Sequence, residues 1–417
     1  MKQHKRQVTR RQFLKGAAAA VASAALAGVG THYVYAAGSG TVKVGLIGAG
    51  GRGTGAAGQL MAADKDIMMW AIGDVWPEKA ASSAAKFKVS QEQTFSGLDA
   101  YQKVLASGCD LVILATPPGF RAQHFEAAIK AGKHVFMEKP VCVDPTGYRK
   151  VVAAAELAAQ KKLFVVAGTQ RRHQPNYQET IKRIRDGQIG EIVGGQCYWI
   201  GSPVKPPGTQ APGQGDIDYQ IHNWYNFAWT CGDHIVEQHV HNIDVILWAM
   251  GSPPVKAIGL GGRQTRQGAG NIYDHFGIEY EFANGARIAS YCSQFPKGVA
   301  HRVSENVVAS KGASNCSGTI TGEKPWKFEG KNVEGHAYEH VEMMQAFRAG
   351  GYLNEGKQVA DSSMAAVLGR MCAYTGREIK WDWAVKESKL DLMPPKLELS
   401  ASFTPPPTAI PGKTELI

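Results

Sequence analysis

Cysteine is sparse, and no two cysteines are placed to work together. The seven (Cys109, Cys142, Cys197, Cys231, Cys292, Cys316 and Cys372) are widely spaced, odd in number and form no CxxC pair. That excludes a disulfide framework and a zinc ribbon; several lie in apolar, strand-like runs, as buried thiols do. Beyond residue 36 no apolar run approaches the ~18 residues of a membrane-spanning helix, so a soluble mature chain is expected. Dense Lys/Arg runs are also missing after Lys15, which argues against a nucleic-acid partner. The net charge of +10 is misleading, because six cations and no acid fall within the first 36 residues, leaving +4 for the rest. The short cluster Lys182, Arg183 and Arg185 reads as one solvated helix face. With 44% hydrophobic and 20% charged residues over 417 positions, the composition is that of an ordinary two-domain globular protein.

The N-terminus reads as an address. Thr9-Arg10-Arg11-Gln12-Phe13-Leu14-Lys15 precedes an Ala-rich apolar stretch, and Val34-Tyr35-Ala36 offers a small-residue cleavage site. A basic segment, a short apolar segment and an A-x-A-like end make a secretory signal, and the paired arginines followed by Phe-Leu resemble a twin-arginine signal. Residues 1–36 are therefore expected to engage the twin-arginine export machinery and be removed, delivering the protein to the periplasm or another exported location.

The next segment carries a phosphate cradle. Thr41–Ile47 is a β-branched run, followed at once by Gly48-Ala49-Gly50-Gly51-Arg52-Gly53 and a helix-like stretch. This is G-x-G-x-x-G in its strand–turn–helix context: Gly48 for the tight turn, Gly50 for close approach of a pyrophosphate, Gly53 for packing of helix on strand. Gly51 and Arg52 lie in the same loop. Asp74 follows 21 residues after Gly53, at the end of a second apolar run. A carboxylate there accepts hydrogen bonds from ribose hydroxyls and repels a 2′-phosphate, favouring NAD over NADP; capping of the next helix is its other reading. NADP stays open, since Arg52 or a surface lysine could meet a 2′-phosphate. Strands at Leu111–Leu114, Val135–Met137 and Leu163–Ala167 alternate with helical stretches, the pattern of a doubly wound parallel sheet. Asp74, Thr116 and Glu138-Lys139-Pro140 fall at strand ends, where such sheets bind ligands.

Gly132-Lys133-His134-Val135-Phe136-Met137-Glu138-Lys139-Pro140 resembles the EKP motif of the Gfo/Idh/MocA family, which includes glucose–fructose oxidoreductase and inositol dehydrogenase. Thr116-Pro117 with His124 resembles that family's fourth-strand loop, Gln170–Tyr177 the start of its second domain, and Gly187–Glu191 the turn before that domain's first long strand. The resemblance runs from about Val42 to Lys380. It implies that Thr116, Pro117, His124 and Glu138 join the glycine loop and Asp74 in holding the cofactor. It also implies that Lys139 touches both the nicotinamide ribose and the substrate hydroxyl. His241 would be the general acid–base, and Arg172, His173 and Tyr177 would lie near substrate. The family usually carries D-x-x-x-H in the stretch matching Glu237–His241; Glu replaces Asp here, so Glu237 is an assisting group whose carboxylate reaches further. Its i, i+4 spacing puts Glu237 and His241 on one face of a regular helix. His234, Glu237 and His241 could on the same grounds form a three-ligand metal site, although no metal is expected, and His239 reads as a structural histidine.

Residues 190–330 hold consecutive strand-like runs with Asn284-Gly285 as a hairpin signal. They point to an α+β second domain with an open, mostly antiparallel sheet, a sheet this family often uses for oligomerisation; a homo-oligomer is expected. The long loop Gly201–Thr230 offers Trp224 and Trp229 as sugar-stacking faces or as packing groups. The full division is a signal over 1–36, a Rossmann domain over 41–168, a substrate and oligomerisation domain over 169–390, and a Pro-rich extended arm over 391–417. The expected activity is hydride transfer between NAD(P) and a secondary alcohol or keto group of a sugar, glycoside or cyclitol. Export implies a tightly held cofactor, because a loose one is lost outside the cytoplasm. Glycosidic cleavage through transient oxidation is a rival reading; its known users lack EKP and carry a Tyr-Pro-Thr-His-Gly-like segment absent here. A non-catalytic sugar-binding protein is a third, opposed by the presence of both Lys139 and His241.

Overall fold

Val42–Ile47 (β1) is a mostly apolar, largely buried run that pairs with parallel strands on both sides. In this computed structural model, which describes residues 40–204, 206–296 and 298–417, it lies at the middle of a six-stranded sheet. The other strands are Ile67–Asp74 (β2), Thr94–Ser96 (β3), Leu111–Leu114 (β4), His134–Met137 (β5) and Val165–Ala167 (β6). Their order is β3-β2-β1-β4-β5-β6, with every pair parallel. The order reverses between β1 and β4, and that crevice is where a doubly wound sheet takes a dinucleotide. β4 is fully buried along its length, as a strand covered by helices on both faces must be. β3 has no apolar run to announce it; its sequence is Thr-Phe-Ser.

The second sheet has nine strands. Ile192–Gly201 (β7) lies at its centre, flanked by Arg287–Gln294 (β10) and Arg302–Ala309 (β11). Lys256–Gly262 (β8) and His275–Glu281 (β9) extend one side, and three short strands, Gly312–Ser314, Thr319–Gly322 and Trp326–Lys327 (β12 to β14), extend the other. Ile379–Lys380 (β15) closes the β8 edge. Asn284-Gly285 does turn the β9–β10 hairpin, with Gly285 at φ +81°. The sheet is mostly antiparallel, with one parallel pair, β7 and β10. One face packs on helices Val240–Met250 and Gly356–Thr375; the other shows exposed Ile258, Leu260, Tyr291 and Val308.

Two later segments return to the first sheet. Helix Gly335–Arg348 packs beside helix Gly51–Ala63, with Arg348 bridged to Asp64. The Pro-rich tail is not a free arm. Leu397, Leu399, Ala401 and Phe403 join an apolar cluster with Trp76, Phe120, Ile217 and Trp229, and Gln220 donates to the Phe403 carbonyl at 2.8 Å. All seven cysteines are buried and unpaired. Among the described residues no helix is long and apolar enough to cross a membrane. The expected signal segment lies outside the described residues.

Candidate functional site

The glycine loop is shaped by backbone contacts that no side chain could share. Gly48 sits at φ +97°, and a Cβ there would lie 2.6 Å from the Ala115 carbonyl carbon. A Cβ on Gly53 would lie 1.9 Å from the Gly48 oxygen, so only glycine lets the helix press on the turn. Gly50 and Gly51, by contrast, face open space. Gly50 opens helix Gly51–Ala63 without a side-chain cap, which leaves the first-turn N–H groups to an anion. Asp74 ends β2 and accepts from Ala49 N at 2.7 Å and Trp76 N at 3.0 Å, holding loop and strand end together. These features fit a dinucleotide: an open anion cradle with a carboxylate at the ribose position.

Loop and strand ends border a cavity of about 520 Å³, within the ~300–1,000 Å³ usual for small-molecule sites. Gly48, Gly50, Gly51, Arg52, Asp74, Thr116, Pro117, His124, Glu138, Lys139, Trp224, Glu237 and His241 all line it. Gly53 packs behind the loop instead. Thr116 Oγ1 lies 3.2 Å from His124 Nδ1; burial, then the Arg121 charge, pushes that imidazole down to about 3, so it stays neutral. Arg52 donates to Glu138 at 2.5 Å and reaches Glu339 at 3.4 Å, tying the glycine loop to the EKP loop and to helix Gly335–Arg348.

The Lys139–Pro140 bond is cis. Lys139 Nζ donates to the Glu237 carbonyl at 2.5 Å and to its carboxylate at 3.0 Å. His241 stacks on Trp199 at 6.0 Å between ring centres. Burial, with the Lys139 charge second, pushes the His241 imidazole well below the usual histidine range, so it rests neutral. The single helix expected through Glu237 and His241 is two, His234–Glu237 and Val240–Met250, broken at Gln238-His239. The break turns the Glu237 carboxylate to Lys139. His234 binds Asp233 at 3.1 Å and packs on Phe276, so His234, Glu237 and His241 do not converge as a metal site. His239 is a satisfied core histidine, 2.7 Å from Ser290 Oγ.

Three residues expected near substrate do not line the cavity. Arg172 forks onto Asp244 with two contacts of 2.9 Å. His173 is 2.6 Å from Glu342, and the Tyr177 hydroxyl is 3.3 Å from Glu305. Each is paired with an acid far along the chain. Trp224 does line the cavity, whereas Trp229 is a packing group. Sequence reasoning missed Trp76, Tyr101, Gln170, Trp199, Gln238 and His336, all on the cavity wall. Only Trp76 carried a local signal, two residues past Asp74 at the mouth of β2.

Residues 42–167 match the Gfo/Idh/MocA oxidoreductase family, NAD-binding Rossmann fold. Residues 177–314 match the C-terminal domain of the same family, so the two matches together span more than half the chain. The chain belongs to the Gfo/Idh/MocA oxidoreductase family. Residues 7–27 match the twin-arginine translocation pathway signal sequence, a mark of export. Inositol 2-dehydrogenase of Rhizobium meliloti (strain 1021) is 26% identical over 278 residues, 66% of this chain and 74% of that protein. Inositol 2-dehydrogenase 4 of Saccharopolyspora erythraea is 30% identical over 201 residues, 48% of this chain and 57% of its own length. Among solved structures, the WlbA dehydrogenase from Bordetella pertussis in complex with NADH and UDP-GlcNAcA superposes with a TM-score of 0.65 at 19% identity, covering 82% of this chain and 98% of that one. That likeness is one of fold.

Proposed function

We propose that this family member oxidises a secondary alcohol of a sugar or cyclitol, or reduces the matching ketone, with NAD held as a resident cofactor. The observation that carries the proposal is that Lys139 and His241 both line the cavity bordered by the glycine loop. The bound nicotinamide supplies a hydride acceptor; the chain supplies everything else. Lys139, held by Glu237, hydrogen-bonds the reacting hydroxyl and steadies the charge that develops on its oxygen. His241, neutral and enclosed, takes the hydroxyl proton. Trp199 and Trp224 offer aromatic faces to the C–H face of a ring substrate. The inositol dehydrogenase relatives support a polyol substrate. A panel of inositols and hexoses, monitored for NADH at 340 nm, tests this; a fully inert panel with bound dinucleotide would remove it.

Asp74 supports NAD over NADP. With its carboxylate at the ribose position, the protein should bind NADH at least about tenfold more tightly than NADPH, and Asp74→Ser should shrink that ratio while weakening both. Fluorescence titration of the two nucleotides reads it directly.

Retention of the cofactor rests on a strap over the β2 end of the cavity. His222 stacks on Trp76 at 3.7 Å, Trp229 meets Phe120 edge-on at 5.7 Å, and Ile221 faces the cavity. Trp229 Nε1 donates to Gln220 at 2.7 Å, and Phe403 N donates to Asp216 at 2.9 Å, so the C-terminal tail fastens the strap. Ending the chain after Met393 should speed NADH release by about tenfold or more, since it strips apolar contacts worth ~25 cal/mol per Å² from the strap. Stopped-flow displacement of bound NADH measures this; an unchanged release rate would separate tail from retention.

A further inference from the structure

Oxidation of an alcohol by hydride loss sheds one proton per turnover, and that proton must reach water. The premise rests on the reaction proposed above. The groups set around the reacting hydroxyl are enclosed: the Lys139 side chain is 11% exposed and His241 is 7% exposed. Lys139 is held on Glu237, which is itself buried.

His336 lies on the wall of the same cavity, and its side chain is 40% exposed. Its position is tightly set. Gly335 is pressed so closely on the Gln170 backbone that a Cβ there would lie 2.6 Å from the carbonyl oxygen. Glu334 accepts from the backbone N–H groups of His336 and Ala337 and lies 2.7 Å from His336 Nδ1. The carboxylate holds Nδ1 as the donor and leaves Nε2 to take and give a proton, the arrangement of an oriented general base. The other titratable groups that feel His336 are His241 and His340. Burial, then the Arg52 charge, pushes His340 down to about 3, so it stays neutral behind the site and takes no proton near pH 7.

We propose that His336, oriented by Glu334, carries the substrate proton between the enclosed Lys139–His241 pair and solvent. With a nicotinamide bound to take the hydride, the hydroxyl O–H bond would break and its proton would pass to the His241 imidazole, Lys139 being held as donor to Glu237. Nε2 of His336 accepts that proton, the resulting cation is stabilised by Glu334, and water or buffer removes it. Reduction runs the same path backwards, and no further electrons move.

The test uses the full-length, dinucleotide-loaded enzyme in weak buffer. His336→Gln should lower kcat by about tenfold, leave NADH affinity within about twofold, and recover most of the loss when free imidazole is added. Glu334→Gln should fall between parent and His336→Gln and shift the pH profile of kcat. A parent-like, buffer-independent kcat in His336→Gln overturns the relay, as does a loss that imidazole leaves untouched. A parent that binds NADH but turns over no alcohol removes the oxidoreductase reading itself, and the relay with it; failure in an active parent removes the relay alone.

Discussion

Lys139→Ala is expected to lower kcat by about 10²–10⁴-fold, the range for a positioned acid–base group, while the protein keeps its dinucleotide. The cradle explains the second half of that result: the proposed contacts to phosphates and ribose come from the open loop at Gly50 and Gly51 and from Asp74, not from the lysine. The loss has a structural component to be separated out. Lys139 and Glu237 form a bridge in which both side chains are about nine-tenths buried, at 11% and 10% exposed. Removing one partner of such a pair costs about 3–5 kcal/mol, because the other charge is left buried and alone. Glu237→Gln on top of Lys139→Ala removes the stranded charge. The double variant should regain much of the thermal stability and none of the turnover. Recovery of turnover in it would show that Lys139 acts only by neutralising Glu237.

The second large effect lies in the glycine loop, where two glycines a few residues apart should differ sharply in their effect on stability. Gly53→Val should lower the melting temperature and weaken dinucleotide binding by about 100-fold or more. Its Cβ falls 1.9 Å from the Gly48 oxygen, so the turn must open, and overpacking of this kind costs at least about 1–3 kcal/mol. Gly50→Ala should melt like the parent, because its Cβ meets nothing within 4 Å and its φ of −70° suits alanine. It should still lose about tenfold or more in NADH affinity, since the methyl group occupies the space where the backbone meets the pyrophosphate. Differential scanning fluorimetry with and without NADH reads both arms. Equal affinity of Gly50→Ala and parent would move the pyrophosphate away from this loop.

The legible parts of the site share one property: their meaning lies in a few adjacent residues. The glycine loop after β1, Asp74 at the end of β2 and Lys139 at the end of β5 each combine a strand with a turn, and each lines the cavity or shapes its wall. The resemblance puts Arg172, His173 and Tyr177 near substrate, Arg172 foremost, yet none lines the cavity. Their acids lie 72, 169 and 128 residues further on, and nothing near them in the chain announces that they are already paired. The Glu237–His241 spacing misled for a related reason. An i, i+4 argument holds on a continuous helix, and packing of His239 on Ser290 accompanies a break in this one.

What the amino-acid order determined alone is therefore the family, the two kinds of sheet, the twin-arginine address, and the glycine loop and charged residues at the strand ends. These follow from backbone periodicity and short motifs, which need no distant partner. Tertiary structure decided which polar groups line the cavity and which are consumed in ion pairs and hydrogen bonds away from it. It brought Trp199 and His336 to the cavity from segments without a motif, and it turned a Pro-rich tail into a fastening for the strap. Burial makes an unpaired charge costly, so each buried ionic group is drawn to whichever partner the completed fold sets beside it, and that neighbour is often more than a hundred residues away.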